Sequence, residues 1–242
     1  MSCCIAVEMR MPHRRTRFLS VVLLLTALVP AAPVRAQPVA VDLTAQPWRS
    51  LGRVQTELGT RCTGFLIAPS LVMTAAHCLF RPTTGHYVQP SSVHFLWRYD
   101  RGTYADQARA LSFVVSPGYD PTQELRTLGL DRAFLTLDHP IGQDADSVRF
   151  APAMPPVGTV VYLGGYNRDH DEILQVDRCR ILGFRVDRGG NRLLEDDCHG
   201  EPGTSGAALF TQLAGGSWGV IGLSVASTGG RHVKGLAEPL AP

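Results

Sequence analysis

Thr74-Ala75-Ala76-His77-Cys78 sets an imidazole beside a cysteine, and Cys62 lies fifteen positions before the histidine. Acyl transfer needs a base that works near pH 7, and histidine is the usual one. A base must also be held still, which a Cys62–Cys78 disulfide would do. Two further segments supply the groups such a base serves. Asp131 opens Asp131-Arg132-Ala133-Phe134-Leu135-Thr136-Leu137, and Ser205 sits in Gly203-Thr204-Ser205-Gly206. A serine hydroxyl is a poor nucleophile until a base takes its proton. The expected catalytic residues are therefore Ser205 as nucleophile, His77 as base and Asp131 to fix the ring tautomer and stabilise the imidazolium. The oxyanion hole is expected at the backbone N–H groups of Gly203 and Ser205, because the glycine lets the chain turn those donors inward.

The first residues are not counted as fold. Arg10, Arg14, Arg15 and Arg17 precede an apolar run from Phe18 to Val29, and small residues follow to Val34-Arg35-Ala36. That is a basic n-region, a short h-region and a cleavage site after Ala36, hence a signal peptide over residues 1–36. The start codon is Met1, Met9 or Met11. The run falls short of the ~20 apolar residues that span a bilayer, so no stable membrane anchor is expected. The chain has 23 basic and 21 acidic residues, and 1–36 holds five arginines and one glutamate. The net charge of +2 therefore becomes −2 after cleavage. The apparent basicity belongs to the leader, and nothing supports nucleic-acid binding, which calls for a clustered basic face.

Cleavage leaves Cys62, Cys78, Cys179 and Cys198. An even number in an exported chain reads as two disulfides. Three connectivities exist; Cys62–Cys78 and Cys179–Cys198 are favoured because each closes a short local loop. A zinc site is disfavoured, since the pairs lack Cys-x-x-Cys spacing and no histidine cluster accompanies them. No metal and no cofactor are expected. The protein is expected to be secreted or periplasmic, and a monomer by default.

Long helical periodicity is absent from the rest. Residues 65–67, 71–73, 93–97, 111–115 and 133–137 read as strands of a first half; 159–163, 179–184, 207–210 and 219–225 read as strands of a second. Turn signals such as Ala68-Pro69-Ser70 and Gly189-Gly190-Asn191 separate them. Many short strands so spaced predict an all-β sandwich or barrel. Ala151–Gly158, with three prolines, links the halves. The expected organisation is an arm over 37–47, a first half over 48–150 carrying His77 and Asp131, and a second over 151–242 carrying Ser205. The site would lie in the cleft between them.

These segments together resemble the chymotrypsin-fold (trypsin-like) serine proteases, over roughly Trp48 to Leu236. Cys62-Thr63-Gly64-Phe65-Leu66-Ile67-Ala68-Pro69 through His77-Cys78 matches best. Asp131–Leu137 looks like the family's Asp-Ile-Ala-Leu-Leu. Gly203–Leu209 is looser, where the family usually has Gly-Asp-Ser-Gly-Gly-Pro. Cys62-Thr63-Gly64 and the Cys179…Cys198 hairpin look more like the bacterial, glutamyl-endopeptidase-related branch. The resemblance implies two antiparallel six-stranded β-barrels and a protein or peptide substrate. It places the specificity pocket along His199, Gly200, Ser224 and Ser227. There His199 would accept an acidic side chain when protonated, or serve as a structural hydrogen-bonder beside Cys198; Glu201 would meet a basic residue or stand as a solvated charge. The usual aspartate before the serine is Thr204, which cannot pair with a newly cut N-terminal amine, so no trypsin-style zymogen switch is expected. Two prolines argue against the usual C-terminal helix. The expected function is an exported serine endopeptidase acting through an acyl-enzyme. The alternatives are a catalytically silent homologue that binds peptides in the same cleft and an esterase-like hydrolase.

Overall fold

The computed structural model describes residues 39–167, 173–228 and 234–242. The expected signal peptide lies outside the described residues, as do the first two residues of the arm. The arm contributes β1 (Val39–Ala40), and the first half follows with β2 (Leu51–Thr56), β3 (Arg61–Ala68) and β4 (Leu71–Thr74). β5 (Phe80–Arg81) and β6 (His86–Tyr87) form a small ribbon; β7 (Val93–Trp97), β8 (Asp106–Val115) and β9 (Ala133–Leu137) complete the half. The second half holds β10 (Val160–Gly165), β11 (Gln175–Val186), β12 (Arg192–Asp196), β13 (Ala208–Gln212), β14 (Trp218–Thr228) and β15 (Lys234–Pro239).

β-Branched and aromatic runs become strands here because alternate residues reach a core. In β9, Ala133, Leu135 and Leu137 are buried while Thr136 faces out. The strands β2-β3-β4-β9-β8-β7 close into one antiparallel barrel. The second barrel runs β11-β10-β13-β14-β15-β12 and closes where β12 returns to β11. A bulge between Ile181 and Gly183 lets β11 change partners, pairing with β10 in its first half and β12 in its second. Each barrel fills its own interior, with Leu66, Phe95 and Leu135 in the first and Val161, Ile181 and Ile221 in the second. A third cluster, including Trp48, Phe65, Tyr166 and Phe210, joins them. Burial of such side chains at about 1.5–3 kcal/mol each makes this seam a major cohesive element.

Three barrel strands escape the periodicity reading: β2, β12 and β15. β2 carries a glycine and the buried Arg53, whose guanidinium lies 3.5 Å from the Tyr99 ring centroid. β12 reads Arg-Leu-Leu-Glu-Asp and β15 Lys-Gly-Leu-Ala-Glu-Pro, both low in β-branched residues. Their pairing partners, not local preference, make them strands. Lys234–Pro239, which includes one of the two prolines, is thus a strand. The arm is more integrated than its composition suggests. Val39 and Ala40 pair with Val176 and Gln175 of β11, and Val41 and Leu43 pack on the seam between barrels.

Candidate active site

His77 sits on a 3-10 turn, Ala76–Leu79, that follows β4 directly. Ala75 and Ala76, at its start, are fully buried. The next residue, Cys78, is joined to Cys62 of β3 by a disulfide, which ties the turn to the barrel wall. A second disulfide joins Cys179 and Cys198.

Asp131 reaches His77 at the end of a short helical excursion. Residues 121–130 form a 3-10 turn, a four-residue helix α1 (Glu124–Thr127) and another 3-10 turn. Asp120 opens this run by accepting the Thr122 N–H at 2.9 Å. Asp131 follows immediately and its side chain is 0% exposed. One carboxylate oxygen accepts the His77 backbone N–H at 2.8 Å and the other lies 2.5 Å from Nδ1. The ring is therefore held with Nδ1 toward Asp131 and Nε2 free for the cleft. Burial works against the imidazolium, but the Asp131 hydrogen bond, its charge and that of Glu124 outweigh it. The His77 pKa rises above its ordinary value.

The residue after Asp131 ties the barrels together. Arg132 Nη1 lies 2.8 Å from Glu238 Oε1 on β15. Burial pushes the Glu238 carboxyl up to about 7 against the pull of Arg132, and the Asp131 charge adds to the rise.

Ser205 comes from the turn before β13. Gly206 has φ +82°, and a Cβ there would collide with Thr63 O and Thr74 Oγ1, so glycine is required. The loop is stitched to the first barrel through Thr63. Its N–H donates to Ser205 O at 2.9 Å. Its hydroxyl donates to Gly203 O at 2.9 Å and accepts the Tyr166 N–H at 3.0 Å. The N–H groups of Gly203 and Ser205 find no acceptor among the described residues. Both residues line the cleft.

His77, Pro202 and Ser205 line two cavities at once. One, about 650 Å³, runs past Leu58–Cys62 and Tyr166 to Gly203. The other, about 250 Å³, runs past Gly200, Glu201 and Ser224–Ser227. Of the residues expected to bind substrate, Gly200, Ser224 and Ser227 line this second cavity. His199 does not. It lies in a separate cleft of about 10 Å³, with its N–H on Asp177 Oδ2 at 2.6 Å and its ring nitrogen 3.3 Å from the same oxygen. Asp177 thus turns it away from the cavity, a position that favours the structural of its two readings. Sequence reasoning missed Glu124, which lines the second cavity from the first barrel. It also missed the Thr63 hydroxyl, although Cys62-Thr63-Gly64 was already a marked stretch. The closest groupings of metal-ligand residue types, Cys62-His77-Cys78 and Asp177-Cys179-Cys198, use sulfurs committed to disulfides, a donor set that does not suit an ion.

A trypsin-like peptidase domain model matches residues 62–223. The cercarial protease of Schistosoma mansoni is 28% identical over 189 residues, covering 67% of this chain and 70% of that protein. The glutamyl endopeptidase of Bacillus licheniformis is 24% identical over 180 residues, covering 71% of this chain and 51% of that protein. Serine protease 23 of Rattus norvegicus is 26% identical over 177 residues, covering 65% and 44%. The chain spans about half the length of these last two relatives. A solved structure of a Glu endopeptidase in complex with MPD superposes with a TM-score of 0.69 at 20% identity, covering 84% of this chain and 90% of that one. At that identity the likeness is one of fold.

Proposed function

This chain belongs to the trypsin-like peptidase domain family, a family of serine endopeptidases, and we propose that it is an exported member acting through Ser205, His77 and Asp131. The observation that carries the reading is the Asp131–His77 pair beside two uncommitted N–H groups, in a cleft that Ser205 divides. Ser205 Oγ attacks the scissile carbonyl carbon while His77 Nε2 takes its proton. The carbonyl oxygen becomes an oxyanion facing the N–H groups of Gly203 and Ser205. His77 then gives the proton to the leaving amine, the C–N bond breaks, and an acyl-enzyme remains. Water repeats the sequence and frees the acid. Asp131 stabilises the transient imidazolium without itself taking the proton.

Cavities on both sides of Ser205 support cleavage within a chain, since substrate can extend each way. The smaller cavity would receive the side chain before the cut. Glu124 and Glu201 line it, and no lysine or arginine among the described residues does. That supports a neutral or cationic side chain over glutamate. Export rests on the leader-like first 36 residues and the two disulfides. No helix among the described residues is long and apolar enough to cross a membrane.

The test is labelling of the folded, disulfide-bonded protein with a fluorophosphonate probe, beside Ser205→Ala and His77→Ala. Labelling that requires both residues supports the reading. A folded wild type that does not label would instead make the chain a peptide-binding homologue.

A further inference from the structure

The residue before Ser205 is a threonine, 3% exposed, and its hydroxyl is bonded on two sides. Thr204 Oγ1 donates to Asn167 Oδ1 at 2.6 Å and accepts the Glu201 N–H at 3.2 Å. Asn167, 7% exposed, continues the row, its Nδ2 donating to Gln175 Oε1 at 3.1 Å. Gln175 lies on β11, opposite Ala40 of the arm and Gly165 of β10. Gly165 also closes the space beside Thr204, since a Cβ there would stand 2.8 Å from Thr204 Cγ2. The cleft behind this row, about 10 Å³, has no room for a ligand larger than a water.

The neighbouring peptide planes show what this row does. A trans peptide points its N–H and C=O in opposite directions, so fixing one aims the other. The Thr204 carbonyl accepts the Ala207 N–H at 2.9 Å. That turns the Ser205 N–H, on the other side of the same plane, away from the loop's interior. The Gly203 carbonyl is held by Thr63 and the Thr204 N–H by Glu201 O, which fixes the preceding plane as well. Thr204 is the hinge between the two planes, and its side chain has one buried acceptor.

We propose that Asn167 is a positioning residue that, through Thr204, holds the loop with the Ser205 N–H aimed at the oxyanion, resting on the reading of Ser205 as nucleophile. The row Thr204–Asn167–Gln175 contains no group that titrates between pH 5 and 9. Asp177 and His199 line the same cleft, and Glu201 meets Thr204 through its backbone N–H; the row's own bonds involve no titrating side chain and leave the nucleophile–base pair untouched.

Second-order rates of fluorophosphonate labelling, measured against pH on the full chain, test this. Thr204→Val keeps the shape and removes the hydroxyl; Thr204→Ser keeps the hydroxyl. Loss of one oxyanion donor lowers turnover by about 10²–10³-fold. A misaimed but present donor should cost less, so Thr204→Val is expected to lower the plateau rate at least about tenfold. Its pH midpoint should not move, and Thr204→Ser should stay within about threefold of wild type. Asn167→Leu should reproduce the Thr204→Val loss, which covers the case of a poorly folding Thr204→Val. A rate within about threefold of wild type in folded Thr204→Val or Asn167→Leu overturns the proposal. So does equal loss in Thr204→Ser and Thr204→Val, a shifted midpoint, or collapse of the fold in both hydroxyl-removing and Asn167 variants. A folded wild type that does not label, or a Ser205→Ala that does, would strike down the nucleophile itself, a different result from a labelled wild type with indifferent variants.

Discussion

The groups that hold His77 carry charge, whereas those that hold the Ser205 loop carry none. The ring leans on the buried Asp131 carboxylate, with Glu124 adding its field. The Ser205 loop is held by the Thr63 hydroxyl, the Thr204 hydroxyl and the Asn167 amide. Charge-assisted bonds are roughly twice as strong as neutral ones and change with protonation; hydroxyl–amide bonds do neither. The cleft thus joins a pH-responsive wall to a pH-indifferent one, and the pH dependence of the proposed reaction should come from the first alone.

The most severe way to break the contrast is to remove the charge and keep the shape. Asp131→Asn is expected to lower turnover about 10⁴-fold, because the amide stabilises the wrong tautomer of His77. A loss under tenfold in the folded variant, read by steady-state kinetics, would mean the ring is oriented by something other than charge.

A second change asks whether charge in the Ser205 half matters to stability alone. Asp196 is 3% exposed and accepts the Cys198 N–H at 2.9 Å; burial pushes its carboxyl up to about 7. A folded pKa above the unfolded value stabilises the fold below about pH 4, and that contribution is lost as pH rises through 7. Asp196→Asn keeps the acceptor without the charge. It should gain up to about 4 kcal/mol over wild type at pH 8 and nothing at pH 4, at roughly 1.4 kcal/mol per unit. Urea midpoints at the two pH values measure this. Labelling of Ser205 should be unaffected, and a changed rate would dissolve the distinction between the halves.

The mildest change tunes the charged wall. Because His77 must be neutral to act as base, the rate should climb with pH through its raised pKa, with a midpoint above the ordinary ~6.5. Glu124→Gln removes the smallest of the contributions to that rise and should lower the midpoint. A midpoint that stays put would place the Glu124 charge out of range.

What the sequence disclosed follows the same division. β7 and β9 were legible to the residue, because Val93–Trp97 and Ala133–Leu137 are apolar runs bounded by turn residues. β2, β12 and β15 were not: Arg53 of β2 is buried on the Tyr99 ring and Glu238 of β15 against Arg132, both distant along the chain, and Arg-Leu-Leu-Glu-Asp of β12 has no β-branched residue. The stretches around His77, Asp131 and Ser205 stood out because glycines, alanines and cysteines must flank them to let backbones approach. Asn167 carries no local mark. Its place depends on a bond to Thr204, thirty-seven positions away. His199 shows the converse hazard: the family resemblance placed it in the pocket, but Asp177 draws it elsewhere.

The Thr63 stitch has a consequence in time. Thr63 bonds to Gly203, 140 positions on, and to Tyr166, 103 positions on. Contacts so distant along the chain form late, after the entropy of closing long loops has been overcome. A growing or half-folded chain can contain a complete first barrel and still have no aimed loop for Ser205. On the proposed reading, a chain emerging from synthesis cannot cleave its neighbours before its second barrel has closed.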